Sequence, residues 1–145
     1  PQRDDLGAMV YKITEDEQQE TPALWREDVP LSAELQAVLL EACELAGVDP
    51  LLMLGLIETE SSFRVDAVSK TDDHGLCQLN AAYFNPNMTP EENLRTGINM
   101  LGQYMGTYKD AGAALTAYHW GYDNGTRSYA AVVTAKAEAW GYAAG

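Results

Sequence analysis

Two carboxylates, Glu58 and Glu60, stand at the end of a segment that is apolar nearly all round: Leu51, Leu52, Met53, Leu54, Leu56 and Ile57. On a helix turning about 100° per residue, Glu60 shares the face of Met53, Leu56 and Ile57, while Glu58 lies about 160° away. A carboxyl held against apolar surface loses hydration of its charged form, so its pKa rises. A raised pKa lets a carboxyl arrive protonated near neutrality and act as a general acid. Glu60 also abuts a polar loop, where a cleft can open. Taken alone, the residue reads more readily as a solvated or salt-bridged glutamate at a helix end.

The surrounding pattern supplies the elements that must hold Glu60. Ser32 caps a helix whose stripe is Leu35, Val38, Leu39, Ala42, Cys43 and Ala46, with Gly47 as its stop. Asp49-Pro50 opens the next helix, a cap residue followed by proline at the first position, and it runs to about residue 62. An all-apolar helix of this kind is buried. Residues 64–88 are mostly loop, with two short pieces, 76–79 and 81–84, as a strand or single turns. Thr89-Pro90-Glu91-Glu92 is a capping box that starts a helix with Leu94, Ile98, Leu101 and Met105 on one face. A small apolar helix spans 111–119, Asn124-Gly125 is a turn, and Tyr129, Val133, Lys136 or Ala137, and Trp140 mark a last helix. The fold class is mainly α, with a small β element near the cleft. Residues 30–145 form the domain. Residues 1–29 are polar and acidic, an expected linker or tether from which Met9, Val10 and Leu24 can still dock.

Composition limits the partners. The 145 residues suffice for one domain with a sizeable core, and no run of about 18 apolar residues is present. The net charge of −13 opposes binding to nucleic acid and to anionic lipid. The two cysteines, Cys43 and Cys77, do not make a disulfide scaffold, and His74-x-x-Cys77 lacks the second close pair of a zinc site, so neither metal nor cofactor is expected. The chain starts at Pro1, and the expectation is that a leader or anchor has been removed.

Downstream of Glu60 the intervals become specific. Glu60-Ser61-Ser62-Phe63 is followed by Ala67, Ser69 and Gly75-Leu76-Cys77-Gln78, with nine residues from Glu60 to Ser69 and eighteen to Gln78. A second block is Glu92-Asn93-Leu94 with Gly97 and Leu101, and a third is Ala114-Leu115-Thr116-Ala117-Tyr118-His119-Trp120-Gly121. Together, in this order, the three blocks resemble the transglycosylase SLT domain across most of residues 35–130. Gly-Leu-Cys-Gln-Leu-Asn leans toward its small members from conjugation systems and phages.

The resemblance implies a goose-lysozyme-like α fold with a sugar-binding cleft. It implies Glu60 as sole catalytic acid and base, with Ser69 and Gln78 supporting or contacting the site and the Tyr118 hydroxyl pointing toward it. The expected substrate-binding set is Ser69, Gln78, Asn80, Tyr118 and His119, although Ser69, Gln78 and Tyr118 equally suit buried hydrogen-bonding roles in the loop. Tyr83, Phe84, Tyr118, Trp120 and Tyr122 offer rings for sugar stacking or for the core, with exposure expected of Trp120 or Tyr122. The implied reaction is cleavage of the β-1,4 bond from N-acetylmuramic acid to N-acetylglucosamine with closure of a 1,6-anhydro ring. A hydrolytic lysozyme and a non-catalytic glycan-binding module are the rival functions. Peptidoglycan is then the partner, the protein is a monomer, and its place is extracytoplasmic, with conjugation, secretion and phage assemblies as settings. The chain departs from the family at Asp72-Asp73, in place of Gly-Ala, at Cys77 for Met, at Asn80, and at His119 for Asn. Asp72-Asp73 is expected as a solvated turn, and Cys43 and Cys77 as buried free thiols.

Overall fold

The computed structural model describes residues 22–144. Within them five helices surround one apolar core. Helix α1 (Ala33–Ala46) is capped by the Ser32 hydroxyl, which accepts from the Leu35 N–H, and ends at Gly47 in the left-handed conformation. Helix α2 (Pro50–Ser61) is capped by Asp49 and buries Leu52 through Ile57 without interruption, so it is the centre of the fold. Helix α3 (Pro90–Tyr108) begins with the capping box of Thr89 and Glu92 and buries Leu94, Ile98 and Leu101, while Met105 is only half-buried. Helices α4 (Ala111–Trp120) and α5 (Ser128–Ala139) complete the set.

The close approach of α2 and α5 depends on Gly55. A Cβ there would lie 2.5 Å from the Val133 carbonyl oxygen and 2.7 Å from the Ala137 nitrogen. Hydrogen in place of a side chain lets the two backbones cross almost in contact, with Val133 and Ala137 fully buried beside it.

Between α2 and α3 lies a two-stranded antiparallel ribbon. Strand β1 (Asp73–His74) pairs with β2 (Leu79–Asn80), Asp73 opposite Asn80 and His74 opposite Leu79. Of the pieces expected at 76–79 and 81–84 as a strand or single turns, only Leu79 is in a strand, and both otherwise turn. Asp-rich sequence hid β1, because its pairing is set by the tight turn through Gly75, at φ 79°, and not by apolar alternation.

Of the acidic N-terminal stretch, residues 1–21, with Met9 and Val10, lie outside the described residues. Leu24 is half exposed, but Trp25 and Val29 pack on the core. The buried Gln36 amide fixes this strap, bonding the Arg26, Val29 and Leu31 carbonyls and accepting from the Arg26 N–H. Arg26 reaches the Trp140 carbonyl oxygen at 2.8 Å and lies over the Trp25 and Trp140 rings. Trp25 to Val29, expected as part of a linker, thus pack as part of the folded body. Cys43 and Cys77 are buried free thiols, and burial raises the pKa of both, that of Cys43 to about 12. No helix among the described residues is long and apolar enough to cross a membrane.

Candidate active site

Helix α2 stops abruptly after the two glutamates. Ser62 and Phe63 both take positive φ, 50° and 64°, and turn the chain away. The Ser61 hydroxyl, buried, donates to the Leu76 carbonyl oxygen at 2.8 Å, so the end of α2 is tied to the Gly75–Gln78 turn. Asn93 on α3 fastens the same turn from the other side: its Oδ1 accepts from the Cys77 N–H and its Nδ2 donates to the His74 carbonyl, both at 2.9 Å. Gln78, held at φ 52°, donates its amide to the Ala67 and Gly75 carbonyls.

The two glutamates have separate surroundings. Glu58 accepts from the Trp140 indole N–H at 2.9 Å and does not line the Glu60 cavity. Glu60 opens into a cavity of about 680 Å³, also lined by Thr71, Asp73, Gln78, Asn80, Tyr118 and His119. Its only hydrogen-bond partner among the described residues is the Tyr129 hydroxyl, which donates to Oε2 at 2.6 Å. Burial pushes the Glu60 pKa from the ordinary 4.5 up to about 7; the Tyr129 bond opposes this and the Asp73 charge adds to it. Glu60 is thus a carboxyl whose surroundings raise its pKa toward neutrality beside an open cavity.

Tyr129 is held in turn by a stack of rings. His119 lies parallel to it with centroids 4.4 Å apart and 10° between planes, and Trp120 meets His119 edge-on at 5.0 Å. The sequence marks Tyr129 only as one residue of a helical stripe. Its partnership with Glu60 arises from the α2–α5 crossing, for which Gly55 in an otherwise apolar helix is the available signal.

The structure sorts the other expected site residues. Gln78, Asn80, Tyr118 and His119 line the cavity; Ser69 does not. The Ser69 hydroxyl is turned to Asp73 Oδ2 at 2.7 Å. The Tyr118 hydroxyl, expected to point at the catalytic centre, donates to the Cys77 carbonyl at 2.7 Å, because that buried backbone oxygen needs a partner. The Asp72-Asp73 pair is not one solvated turn. Asp72 is exposed and bonds His74 Nε2 at 2.6 Å, whereas Asp73 is half-buried in the cavity wall. Asp72 stands just before β1 in the left-handed conformation, at φ 66°, while the extended strand begins only at Asp73. Trp120 and Tyr83 are exposed and line the cavity with half-buried Phe84, while exposed Tyr122 lies outside it.

The cavity therefore joins one neutral-range carboxyl, amides and hydroxyls, and open aromatic rings, a set suited to acid–base work on a polyhydroxylated chain. Comparison with solved structures finds an inactive mutant of the lytic transglycosylase Slt from Pseudomonas aeruginosa, with a TM-score of 0.52 and 22% identity. The match covers 70% of this chain and 20% of that one, so the chain spans about a fifth of that structure and shares its fold over that span. Comparison with curated proteins gives no match. A family model, the transglycosylase SLT domain, matches residues 38–140, and with well over half its length matched the chain belongs to that family.

Proposed function

We propose that the protein cleaves peptidoglycan glycan strands at the β-1,4 bond between N-acetylmuramic acid and N-acetylglucosamine and releases a 1,6-anhydro end. The observation that supports this most directly is Glu60, with a pKa near 7, facing an open cavity lined by amides, hydroxyls and aromatic rings. Protonated Glu60 gives its proton to the glycosidic oxygen as the C1–O bond breaks and the electron pair leaves with that oxygen. The muramyl 6-hydroxyl then attacks C1 and loses its proton to the Glu60 carboxylate. The ring closes and the acid is restored, with no second base.

Hydrolysis by an inverting route needs another carboxylate basic enough to deprotonate water. Asp73 is the one at hand. It accepts from Ser69, Thr71 and Asn80, and although burial works to raise its pKa, these bonds and nearby His74 hold it below the ordinary carboxylate range. Such a group is a weak base, which favours the intramolecular acceptor. In this proposal Gln78, Asn80 and His119 contact the sugar, the protein acts as a monomer outside the cytoplasm, and residues before Trp25 tether it to a conjugation, secretion or phage assembly.

Mass spectrometry of fragments released from purified cell wall tests the reaction. The expected fragments are lighter by one water than hydrolytic ones, with cleavage lost in Glu60→Gln and largely kept in Glu58→Gln. Hydrated fragments would make the protein a lysozyme, and binding without cleavage would make it a glycan-binding module.

A further inference from the structure

Asp73 belongs to the cavity yet has no part in the proton transfers assigned to Glu60. Its position is unusually well fixed for a residue on a two-residue strand. Oδ2 accepts from Ser69 Oγ at 2.7 Å and from Thr71 Oγ1 at 2.5 Å, and Oδ1 accepts from Asn80 Nδ2 at 3.0 Å. Its own N–H returns to Ser69 Oγ at 3.1 Å, and the register sets Asn80 opposite it. Among the described residues no salt bridge reaches the carboxylate itself, and the neighbouring His74 is engaged by Asp72. Three neutral donors stabilise the anion without cancelling its charge. The result is a preoriented negative charge in the wall of the cavity that Glu60 opens into.

Glycosidic cleavage puts positive charge on C1 and the ring oxygen as the leaving group departs. A fixed charge of opposite sign in a partly desiccated cleft lowers that barrier because it needs no reorganisation when the charge appears. We propose that Asp73 is the electrostatic partner of Glu60, a carboxylate held anionic by Ser69, Thr71 and Asn80 to stabilise the oxocarbenium-like sugar. The inference rests on the glycan-cleaving reading above. It assigns Ser69 and Thr71 to positioning that charge, and it requires Asp73 neither to form a bond nor to move a proton.

Asp73→Asn is the informative change, since the amide keeps the size and can still accept from Asn80. Asp72→Asn, on the exposed side of the ribbon, is the control. Wall cleavage by the unaltered protein is scored first, and its absence would sink the reading of the function. Given cleavage, Asp73→Asn should lower kcat by roughly 100-fold or more with little change in KM, the size of losing one preoriented charge stabiliser. The Glu60 titration, followed by carbon NMR of the labelled carboxyl, should move below about 7, because burial, the main cause of the rise, stays while the charge that adds to it is gone. Among the described residues, the other titratable groups around Glu60 and its cavity are Tyr129 from α5, Tyr118 and His119 from α4, Tyr104 from α3, Tyr83, and Cys77 from the turn, and the substitution alters none of these side chains. The double variant Ser69→Ala, Thr71→Val removes two donors and leaves the charge. It should retain far more kcat than Asp73→Asn. Equal losses in the two would make Asp73 a loop clamp, and wild-type kcat with an unmoved Glu60 titration in Asp73→Asn would overturn the proposal outright.

Discussion

The Tyr129 hydroxyl donates to Glu60 Oε2 at 2.6 Å, joining the start of α5 to the end of α2 across 69 residues of sequence. A donor to a carboxylate favours its charged form, so this bond restrains the rise that burial imposes on Glu60. Tyr129→Phe removes the restraint. A hydrogen bond to a charged group contributes about 1.5–3 kcal/mol, so the Glu60 pKa should climb by about one unit or more above its present value near 7. The alkaline limb of the pH profile of kcat/KM should move up with it. An unmoved limb would mean that Tyr129 does not act on Glu60 in solution.

Tyr118 lines the cavity, but the geometry of its hydroxyl fits the loop-holding one of the two roles open to it. Its hydroxyl is committed to the Cys77 carbonyl inside the core. Tyr118→Phe leaves that buried oxygen without its donor, which should cost about 1–3 kcal/mol of folding stability. Urea unfolding measures this. Turnover by the remaining folded protein should stay close to that of the parent. A large loss of turnover with little loss of stability would return Tyr118 to the catalytic centre.

Helix starts and stops were legible in the sequence because each depends on residues adjacent in the chain. Ser32, Asp49-Pro50 and the Thr89–Glu92 box sit where the caps form, and Gly47 is in the left-handed position a helix stop requires. Glu60 was legible as well, since one helix fixes which side chains share its apolar face. Relationships made by packing were not. Nothing local to Tyr129 points to Glu60, and nothing local to Asp72-Asp73 says which of the two turns inward. That choice is made by the pairing of Asp73 with Asn80, a contact between residues whose types carry no strand signal. Gln36 shows the same limit: a polar residue on α1 is fully buried because it satisfies the backbone of the Arg26–Leu31 strap.

The crossing at Gly55 is a direct test of how the site is assembled. In Gly55→Ala the new methyl would meet Val133 O and Ala137 N well inside contact distance, and both are backbone atoms that yield only if α5 moves. Overpacking of this kind typically costs about 1–3 kcal/mol. Because α5 carries Tyr129, the displacement should also disturb the bond to Glu60. The variant should show a lower Tm together with a shifted alkaline limb. A protein as stable and as active as the parent would show that the two helices do not approach this closely.

Glu60 should also be a measurable burden on stability, in a pH window set by its own shift. Its pKa is about 7 in the folded chain and near the ordinary 4.5 when unfolded. Below 4.5 both states hold the proton, and Glu60 imposes no charge burial. Between 4.5 and 7 the unfolded chain releases a proton that the folded chain keeps, so stability falls as pH rises. Above 7 the loss is complete. A shift of this size corresponds to at most about 3 kcal/mol, and less in practice because the carboxyl is only partly shielded from water. Glu60→Gln removes the ionisation while its amide oxygen can still accept from Tyr129. The variant should therefore melt several degrees above the parent at pH 8, since about 1 kcal/mol moves Tm by roughly 2–8 °C in domains of comparable size. At pH 4 the two should melt together. Calorimetry across pH 4–8 reads this directly, and a Tm difference that stays constant with pH would show that Glu60 is not the buried acid on which the proposed reaction depends.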